Sequence, residues 1–562
     1  MDIIKQAIEF HKKSDFQNAE KCYLQFIEQN PSEAKAHHLL GALYMQICDF
    51  KKAARSLETA FGLDRATPVQ TDLALCYYEL KEYRLAMLNL QDVLGVVQSK
   101  ILYEKLLDSA NKVELGEPYV KYALKYIELY GEDIEIMRNL AGYALDIGKF
   151  DIAERCNKRL IELYPDDYVA YNNLALTYEF QLNFPLAEEY YKKTIELKPN
   201  LDPIFNLSVL LRRMRRYDES LKMLELSRKY GLSDVGYDCT LGLLRLTLRD
   251  FSGYPLYLNF VKSHHSFPDE TPWDGKPDKD MVLILRATEG YGDALMFSRY
   301  LDYIDATLFK DVLLVVPTPL LSLFAFNFPN FKVIDWKIKP APNLTSAIVM
   351  DLPGILKLDF NHIPSADRFL MSPPEYSAKW SDYIDDKKFN VGLFYSGNFT
   401  NKRTLRNRNV PFEFLESFFN LDKEISFNTK DASILKNIRY YSLQPEKHFK
   451  QEVERQNEKT GNIESLAGKL ENFSDTAAVI EKLDLVITID SSVAHLAAAL
   501  GKKTFILLPY SADWRWFEDV DTTVWYNCMK IFRQKEEGEW QEPVERLKEA
   551  FLNEVLNAKK MP

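Results

Sequence analysis

The sequence predicts an α-solenoid followed by an α/β region of two Rossmann-like lobes, and three observations carry that expectation. Short turn signatures recur every 33 or 34 residues between Phe16 and Tyr217. A Pro- and charge-rich stretch, "HHSFPDETPWDGKPDKD" (264–280), ends that rhythm. Beyond it, apolar runs of strand length alternate with helix-like stretches, the pattern of parallel sheets buried on both faces.

The whole chain sets the bounds. Its 562 residues, 46% hydrophobic and 13% aromatic, suffice for several domains with large cores. A net charge of -11 argues against sequence-independent binding of nucleic acid by the chain as a whole. The opening "MDIIKQAIEFHKK" has Asp2 and no apolar segment, so it does not read as a secretory signal. The longest apolar run, from Val312, contains Pro317 and Pro319 and is too short to span a bilayer. Cys22, Cys48, Cys76, Cys156, Cys239 and Cys528 are scattered, with no CxxC and no His at ligand spacing. They read as buried small hydrophobes, and no metal is expected. The expectation is a soluble, cytoplasmic protein without a membrane span.

The repeats come first. Phe16, Phe50, Tyr83, Phe150, Phe184 and Tyr217 are separated by 34, 33, 67, 34 and 33 residues, and the double gap holds one degenerate copy near "LGEPYVKYALKYI". Three residues after these aromatics stand Ala19, Ala53, Ala86, Ala153, Ala187 and Ser220. Small residues let two helices approach closely, while the aromatic plugs the gap to the next pair. The 34-residue period resembles the tetratricopeptide repeat. About seven helix pairs over 1–235 would form a superhelix, with 236–280 as linker. Asn139, Asn173 and Asn206 fall in one column, each just before a Leu; Asp72 shares it and Leu39 begins it. Asn offers a donor and an acceptor, so such a ladder fits the backbone of an extended acceptor peptide; it equally fits bridging between neighbouring helices.

The second half divides near "SAKWSDYIDDKKFN" (377–390) into lobes at 281–385 and 386–540, with a final amphipathic helix in 541–562. Strands are expected at "MVLILRA", "VLLVV", "FKVIDW" and "AIVMDL", then at "VGLFYSG", "EISFNT", "RYYSLQ", "LVITID" and "TFILLP". Ligands of such sheets bind outside the carboxyl ends of the strands, so three turns matter. In "RATEGYGDALMF", Gly290 and Gly292 give a tight turn with positive φ or close approach. Asp293 then opens a helix, either as its N-cap or as a general base; Leu295 breaks any dinucleotide fingerprint. In the second turn Asp490 ends a strand and Ser491 and Ser492 precede the helix "VAHLAAALG". That helix start suits phosphate, and His495 in its first turn is either a further donor or a buried structural imidazole. The third turn, "SGNFTNKRTLRNRNVP", crowds Lys402, Arg403, Arg406 and Arg408 into a solvated basic loop or a diphosphate clamp.

Taken together, Gly292-Asp293, the basic loop, "SLQ" at 442–444, "DSSVAHLAAALGK", "LLPYSADWRWF" and "IFRQ" resemble the heptosyltransferase-like glycosyltransferases of GT-B fold. The nearest likeness is to bacterial tetratricopeptide-repeat proteins carrying such a domain, an arrangement similar to O-GlcNAc transferase. The first turn departs from the family's Trp-Ala-Glu-Gln-Gly-Leu-Gly-Asp, with Arg286 where Trp is common. The resemblance implies metal-independent transfer of a sugar from a nucleotide-sugar donor, with UDP, GDP, ADP or CMP type left open, to an acceptor hydroxyl on a protein held by the repeats. Ser491, Ser492 and the helix amides would hold the diphosphate, with His495 and Lys402 or Arg406 adding charge and Asp490 part of the nucleotide-sugar site; Gln444 would meet base or ribose, and Asp293 would deprotonate the acceptor. It also implies a last helix that returns to the first lobe. Trp514 and Trp516 fit core packing or a sugar platform. Two alternatives stand beside this one: a non-catalytic repeat adaptor with a degenerate lobe pair, and a transferase for a small saccharide or lipid acceptor.

Overall fold

The computed structural model describes residues 2–264, 270–287, 290–337, 344–358, 363–364, 367–397, 408–421, 434–446 and 449–558. They form two compact units, 1–199 and 200–562.

The first unit is six helix pairs: α1 (Asp2–Lys12) with α2 (Phe16–Gln29), α3 (Ala34–Gln46) with α4 (Phe50–Leu63), and α5 (Thr67–Glu79) with α6 (Tyr83–Leu94). They continue as α7 (Lys100–Lys112) with α8 (Gly116–Tyr130), α9 (Ile134–Asp146) with α10 (Phe150–Leu163), and α11 (Tyr168–Phe180) with α12 (Phe184–Leu197). One backbone device closes every pair. Ser14, Cys48, Lys81, Glu114, Gly148 and Leu182 all take left-handed backbone, with φ between 54° and 77°. The next amide returns to a carbonyl five residues back, as Asp15 N–H does to Phe10 and Asp49 N–H to Tyr44, both at 2.9 Å. That is the Schellman motif, which satisfies carbonyls orphaned at a helix end. Asp15, Asp49 and Asn183 then cap the following helix through their side chains. Cys48, at one of these turns, is exposed, so the expectation of six buried cysteines holds for Cys76 and Cys156 and fails there.

The degenerate copy keeps this backbone and exchanges its side chains. Gly116 stands where the aromatic is elsewhere, and a Cβ on it would lie 3.1 Å from Ile147 and 3.2 Å from Tyr143. Three residues on, where the other repeats bury Ala, Tyr119 is buried with its ring 4.9 Å from that of Tyr143. Volume moves between the two positions and the packed layer stays filled.

The second unit begins with two more pairs of the same kind: α13 (Leu201–Arg213) with α14 (Tyr217–Lys229), and α15 (Asp234–Thr247) with α16 (Tyr254–His264). Arg215 and Arg249 hold the left-handed turns. Residues 236–280, expected as a linker, thus carry most of an eighth pair. Its signal was legible, since Asp250-Phe251 follows Tyr217 by 34 residues.

Two all-parallel sheets follow. The first contains β1 (Thr271–Pro272), β2 (Val282–Arg286), β3 (Asp311–Val316), β4 (Lys332–Asp335) and β5 (Thr345–Ile348), in the order β1-β5-β2-β3-β4. The second contains β6 (Phe389–Phe394), β7 (Ile438–Ser442), β8 (Ile463–Ser465), β9 (Leu485–Ile489), β10 (Thr504–Leu508) and β11 (Met529–Arg533), in the order β11-β10-β9-β6-β7-β8. Counted from β6 this is 3-2-1-4-5-6, the doubly wound order of dinucleotide-binding sheets. The helices are α17 (Tyr291–Phe297), α18 (Leu321–Asn327), α19 (Leu352–Ile355), α20 (Pro374–Lys379), α21 (Lys450–Thr460), α22 (Phe473–Lys482), α23 (Ser492–Ala499) and α24 (Gln541–Asn557). The strand expected at "EISFNT" lies outside the described residues.

The last helix corrects one expectation. α24 does not return to the first sheet; its buried Phe551 packs on Phe389, Phe418 and Tyr440 of the second. The first sheet is reached instead by the segment after β10. There Trp514 meets Tyr254 and Tyr257 of α16, and Trp525 meets Phe297 of α17.

Candidate functional site

In a doubly wound sheet the crevice lies where strand order reverses, at the carboxyl ends. For the second sheet that point is between β6 and β9, and a cavity of about 420 Å³ opens there. Gly397, Glu446, Asp490, Ser491 and Ser492 line it from the ends of β6, β7 and β9, and Tyr291 from α17.

The start of α23 is built for an anion. Ser491 is its N-cap, its hydroxyl accepting from Ala494 N–H at 3.4 Å and lying 3.2 Å from the Thr488 hydroxyl. The first amides of a helix lack intrahelical acceptors, and here they belong to Ser492 and Val493 at the cavity wall. Asp490 is mostly shielded and anchors a cation, with one carboxylate oxygen 3.5 Å from Arg408 Nη1. That carboxylate holds the Arg408 pKa above the ordinary guanidinium value. Arg408 therefore reaches the cavity already oriented; Lys402, Arg403 and Arg406 lie outside the described residues. Glu446, after β7, brings a buried carboxylate oxygen with no hydrogen-bond partner among the described residues to the same cavity.

Gln444 is turned the other way. Its Oε1 accepts from the amides of Tyr395 and Ser396 at 3.1 and 3.2 Å, and its Nε2 donates to Ser396 O at 2.9 Å. Both ends of the side-chain amide are committed, so it extends the β6–β7 pairing and fixes the loop after β6.

His495 is buried between aromatic neighbours. Its Nδ1 lies 2.9 Å from the Tyr526 hydroxyl, and its ring stacks on Trp516 with centroids 5.3 Å apart. Burial, then the Arg515 and Arg299 guanidiniums, push its pKa down to about 3, so the imidazole is neutral near pH 7. Any bond it gives an anion is a neutral one. Trp514 and Trp516 are both buried, as core packing requires.

Tyr291, the first residue of α17, completes the lining from the region after β2. The N-cap of α17 is Gly290, with extended backbone (φ 178°). Neither Gly290 nor Gly292 takes the left-handed region, so the positive φ expected there is absent. The demand is spatial: a Cβ on Gly292 would sit 3.1 Å from the His495 ring, and the missing side chain lets α17 lie against α23. Asp293 is the third residue of α17 and not its cap. Its Oδ1 accepts from Arg515 Nη2 at 2.5 Å, and Arg515 Nη1 donates to Asp513 at 2.7 Å. Desolvation raises the Asp293 pKa, Arg515 opposes it, and Asp513 and Asp490 add to it. Sequence reasoning missed Arg515, Asp513 and Glu446. The signal for the first two was the "DWRW" that follows β10, which carried the resemblance and a reading of its tryptophans but gave Asp513 and Arg515 no role.

The repeat column is half-buried throughout: Asn139 on α9 and Asn173 on α11 in the first unit, Asn206 on α13 in the second. Asn139 borders a cavity of about 330 Å³ with Glu104, Asp108, Asn111 and Tyr119. Asp72, in the same column, lies 2.7 Å from His38 Nε2 of the preceding repeat. Among the described residues, no helix is long and apolar enough to cross a membrane.

Comparison with known proteins agrees with this division. Residues 438–536 match glycosyltransferase family 9 (heptosyltransferase), and residues 138–202 match the tetratricopeptide repeat. The chain therefore carries tetratricopeptide repeats and a glycosyltransferase family 9 domain towards its C-terminus. Protein FlbA of Caulobacter vibrioides is 23% identical over 299 residues, which are 50% of this chain. The chain spans about half (48%) of the length of that curated relative. Among solved structures, YrrB, described as a TPR protein with an unusual peptide-binding site, is 21% identical with a TM-score of 0.26, over 32% of this chain and 94% of its own. A tetratricopeptide repeat protein from Parabacteroides merdae is 16% identical with a TM-score of 0.24, over 43% of this chain and 97% of its own.

Proposed function

We propose that this chain is a glycosyltransferase whose two sheets are the lobes of a GT-B enzyme, moving a sugar from a nucleoside diphosphate to an acceptor hydroxyl. One observation above the others supports the reading. A cavity at the switch point of a 3-2-1-4-5-6 sheet gathers a capped helix start and an oriented Arg408, and Tyr291, two residues before Asp293 on α17, lines it too.

In this reading the amides of Ser492 and Val493, with the Ser491 and Ser492 hydroxyls, hold the diphosphate. Arg408, joined by Lys402 or Arg406, offsets the charge that grows on the leaving group, so no metal is assigned to that task. Glu446 follows the second strand of the winding, where an acidic side chain accepts from ribose hydroxyls in dinucleotide-binding sheets. Gln444 keeps the loop after β6 in place. As the acceptor oxygen bonds to the anomeric carbon, the bond from that carbon to the phosphate oxygen breaks. The acceptor proton passes to Asp293, whose proton affinity burial raises against the opposing charge of Arg515. Asn139 and Asn173 of the first unit present amides that fit an extended protein acceptor.

The test is a thermal-shift series with the nucleoside diphosphates UDP, GDP, ADP and CDP on the full chain. One of them should raise the transition, because a ligand at 100 times its dissociation constant stabilises by about 2.7 kcal/mol, and Arg408→Ala should abolish the shift. No shift with any of the four defeats the donor reading. Binding without slow hydrolysis of the matching nucleotide sugar favours the adaptor.

A further inference from the structure

We propose that Arg515 is a positioning residue for the transfer step, fixing the orientation of the Asp293 carboxylate, with Asp513 as the counterweight that keeps the guanidinium in place. The inference rests on Asp293 acting as the base.

Arg515 lies 222 residues from Asp293 in sequence, in the short 3-10 turn Trp514–Trp516 after β10. Its backbone and both terminal nitrogens are held. Its amide donates to Asp513 Oδ1 at 3.1 Å, and its carbonyl accepts from the Trp525 indole N–H at 2.9 Å. The guanidinium lies over the Trp514 ring, 4.9 Å from its centroid. From that fixed mount one terminal nitrogen reaches Asp293 and the other Asp513. Only a planar fork spans two carboxylates in this way; a lysine ammonium is a single point of charge on a flexible stem. Oδ1 of Asp293 is thereby occupied, and Oδ2 accepts no hydrogen bond from the described residues, so one oxygen is tethered and the other is open to a proton.

The charges around Asp293 come from several elements: Arg515 and Asp513 after β10, Asp490 after β9, Arg408 paired to Asp490, and the phenols of Tyr254 and Tyr257 on α16. Arg212 of α13 faces Asp513, and His495 is neutral. Arg515 and Asp513 act on Asp293 with opposite sign. Removing the guanidinium leaves a desolvated carboxylate beside two others, so its proton affinity rises. Removing the Asp513 charge leaves Arg515 to Asp293 alone, so its proton affinity falls.

The experiment is a pH titration of the full-length protein by difference infrared spectroscopy, with Asp293→Asn as the reference that assigns the Asp293 carboxyl band. Arg515→Met should move the Asp293 midpoint to higher pH and Asp513→Asn to lower pH. Asn is as good a cap as Asp, so Asp513→Asn also reports if Arg515→Met does not fold. An unmoved midpoint, or two shifts of one sign, overturns the inference. Turnover of UDP-N-acetylglucosamine, GDP-mannose or ADP-glucose, whichever is hydrolysed, separates it from its premise. If Asp293→Asn keeps full activity, the base reading fails and this inference with it. If Asp293→Asn is inactive while Arg515→Lys turns over at the wild-type rate, the base stands and the positioning role falls. The expected result for Arg515→Lys is a kcat lowered about 100-fold with KM for the donor unchanged.

Discussion

The first six helix pairs and the last two share one turn and use it differently. At Ser14, Cys48, Lys81 and Glu114 the left-handed residue is exposed to solvent. At Arg215 it is a clamp: the guanidinium donates to Tyr510 O at 2.8 Å and lies 3.3 Å from both Glu518 and Asp519. Beside it the Tyr217 hydroxyl donates to Glu518, and Arg213 lies 3.7 Å from Glu537. From the eighth pair, Phe251 meets Phe517 edge-on and Arg249 stands over the same ring. What these contacts grip is the segment that carries Asp513 and Arg515. A repeat in sequence is therefore not a boundary in the fold, and the last two pairs belong to the sheets they hold.

The largest effect expected from that difference is loss of folding. A chain begun at Asn200 should unfold cooperatively, whereas one begun at residue 236 should not, because it lacks α13 and α14 and leaves Glu518 and Glu537 without their cations. Cooperative melting of the shorter chain, seen by circular dichroism, would break the comparison. Next come paired core truncations. Leu90→Ala in α6 and Leu224→Ala in α14 both remove fully buried side chains, at about 2–5 kcal/mol each. Calorimetry should find Leu224→Ala lowering the transition that a nucleoside diphosphate protects, and Leu90→Ala sparing it.

Acid should also discriminate between the units. Unfolded, His495 binds a proton below its ordinary pKa near 6.5; folded, it stays neutral down to about 3. The unfolded state thus holds more protons in that window, and stability falls as pH drops through it, by up to about 1.4 kcal/mol per pH unit. His495→Gln should flatten that slope in urea melts between pH 6.5 and 4; an equal slope in the variant would mean another group titrates. Smallest is the contrast between the turns themselves. Arg215→Ala should cost about 1.5–3 kcal/mol, the worth of bonds to charged groups. Lys81→Ala, at the equivalent exposed turn, should stay within about 0.5 kcal/mol.

The repeats were legible because their period is fixed and their aromatic and small residues recur. The fourth pair was faint because Gly116 and Tyr119 exchange the sizes those positions usually have. The eighth kept the period at Asp250-Phe251 but was absorbed into the Pro- and charge-rich stretch that follows it. Long apolar strands announced themselves, but "IES" at β8 and "TP" at β1 are too short to carry a pattern. At the site, the rule that turns after strands face a crevice was enough to single out Asp293, Asp490 and Ser491. It could not orient Gln444, whose direction is set by the Tyr395 and Ser396 amides. Nor could it reveal Arg515, which meets Asp293 only through tertiary structure.

The reach of the Arg215 clamp has a consequence in time. Its partner Asp519 lies 304 residues further along the chain. Schellman turns close over a few residues, so the repeats can form as they leave the ribosome, whereas the segment they grip is made much later. At about 5–20 residues per second, the seventh pair waits roughly 15–60 s for Tyr510, Glu518 and Asp519 to appear. During that interval Arg213, Arg215 and Tyr217 form a cationic, aromatic edge without its acidic counterpart. Nascent-chain intermediates stalled before residue 510 should therefore bind anionic surfaces that the finished protein ignores.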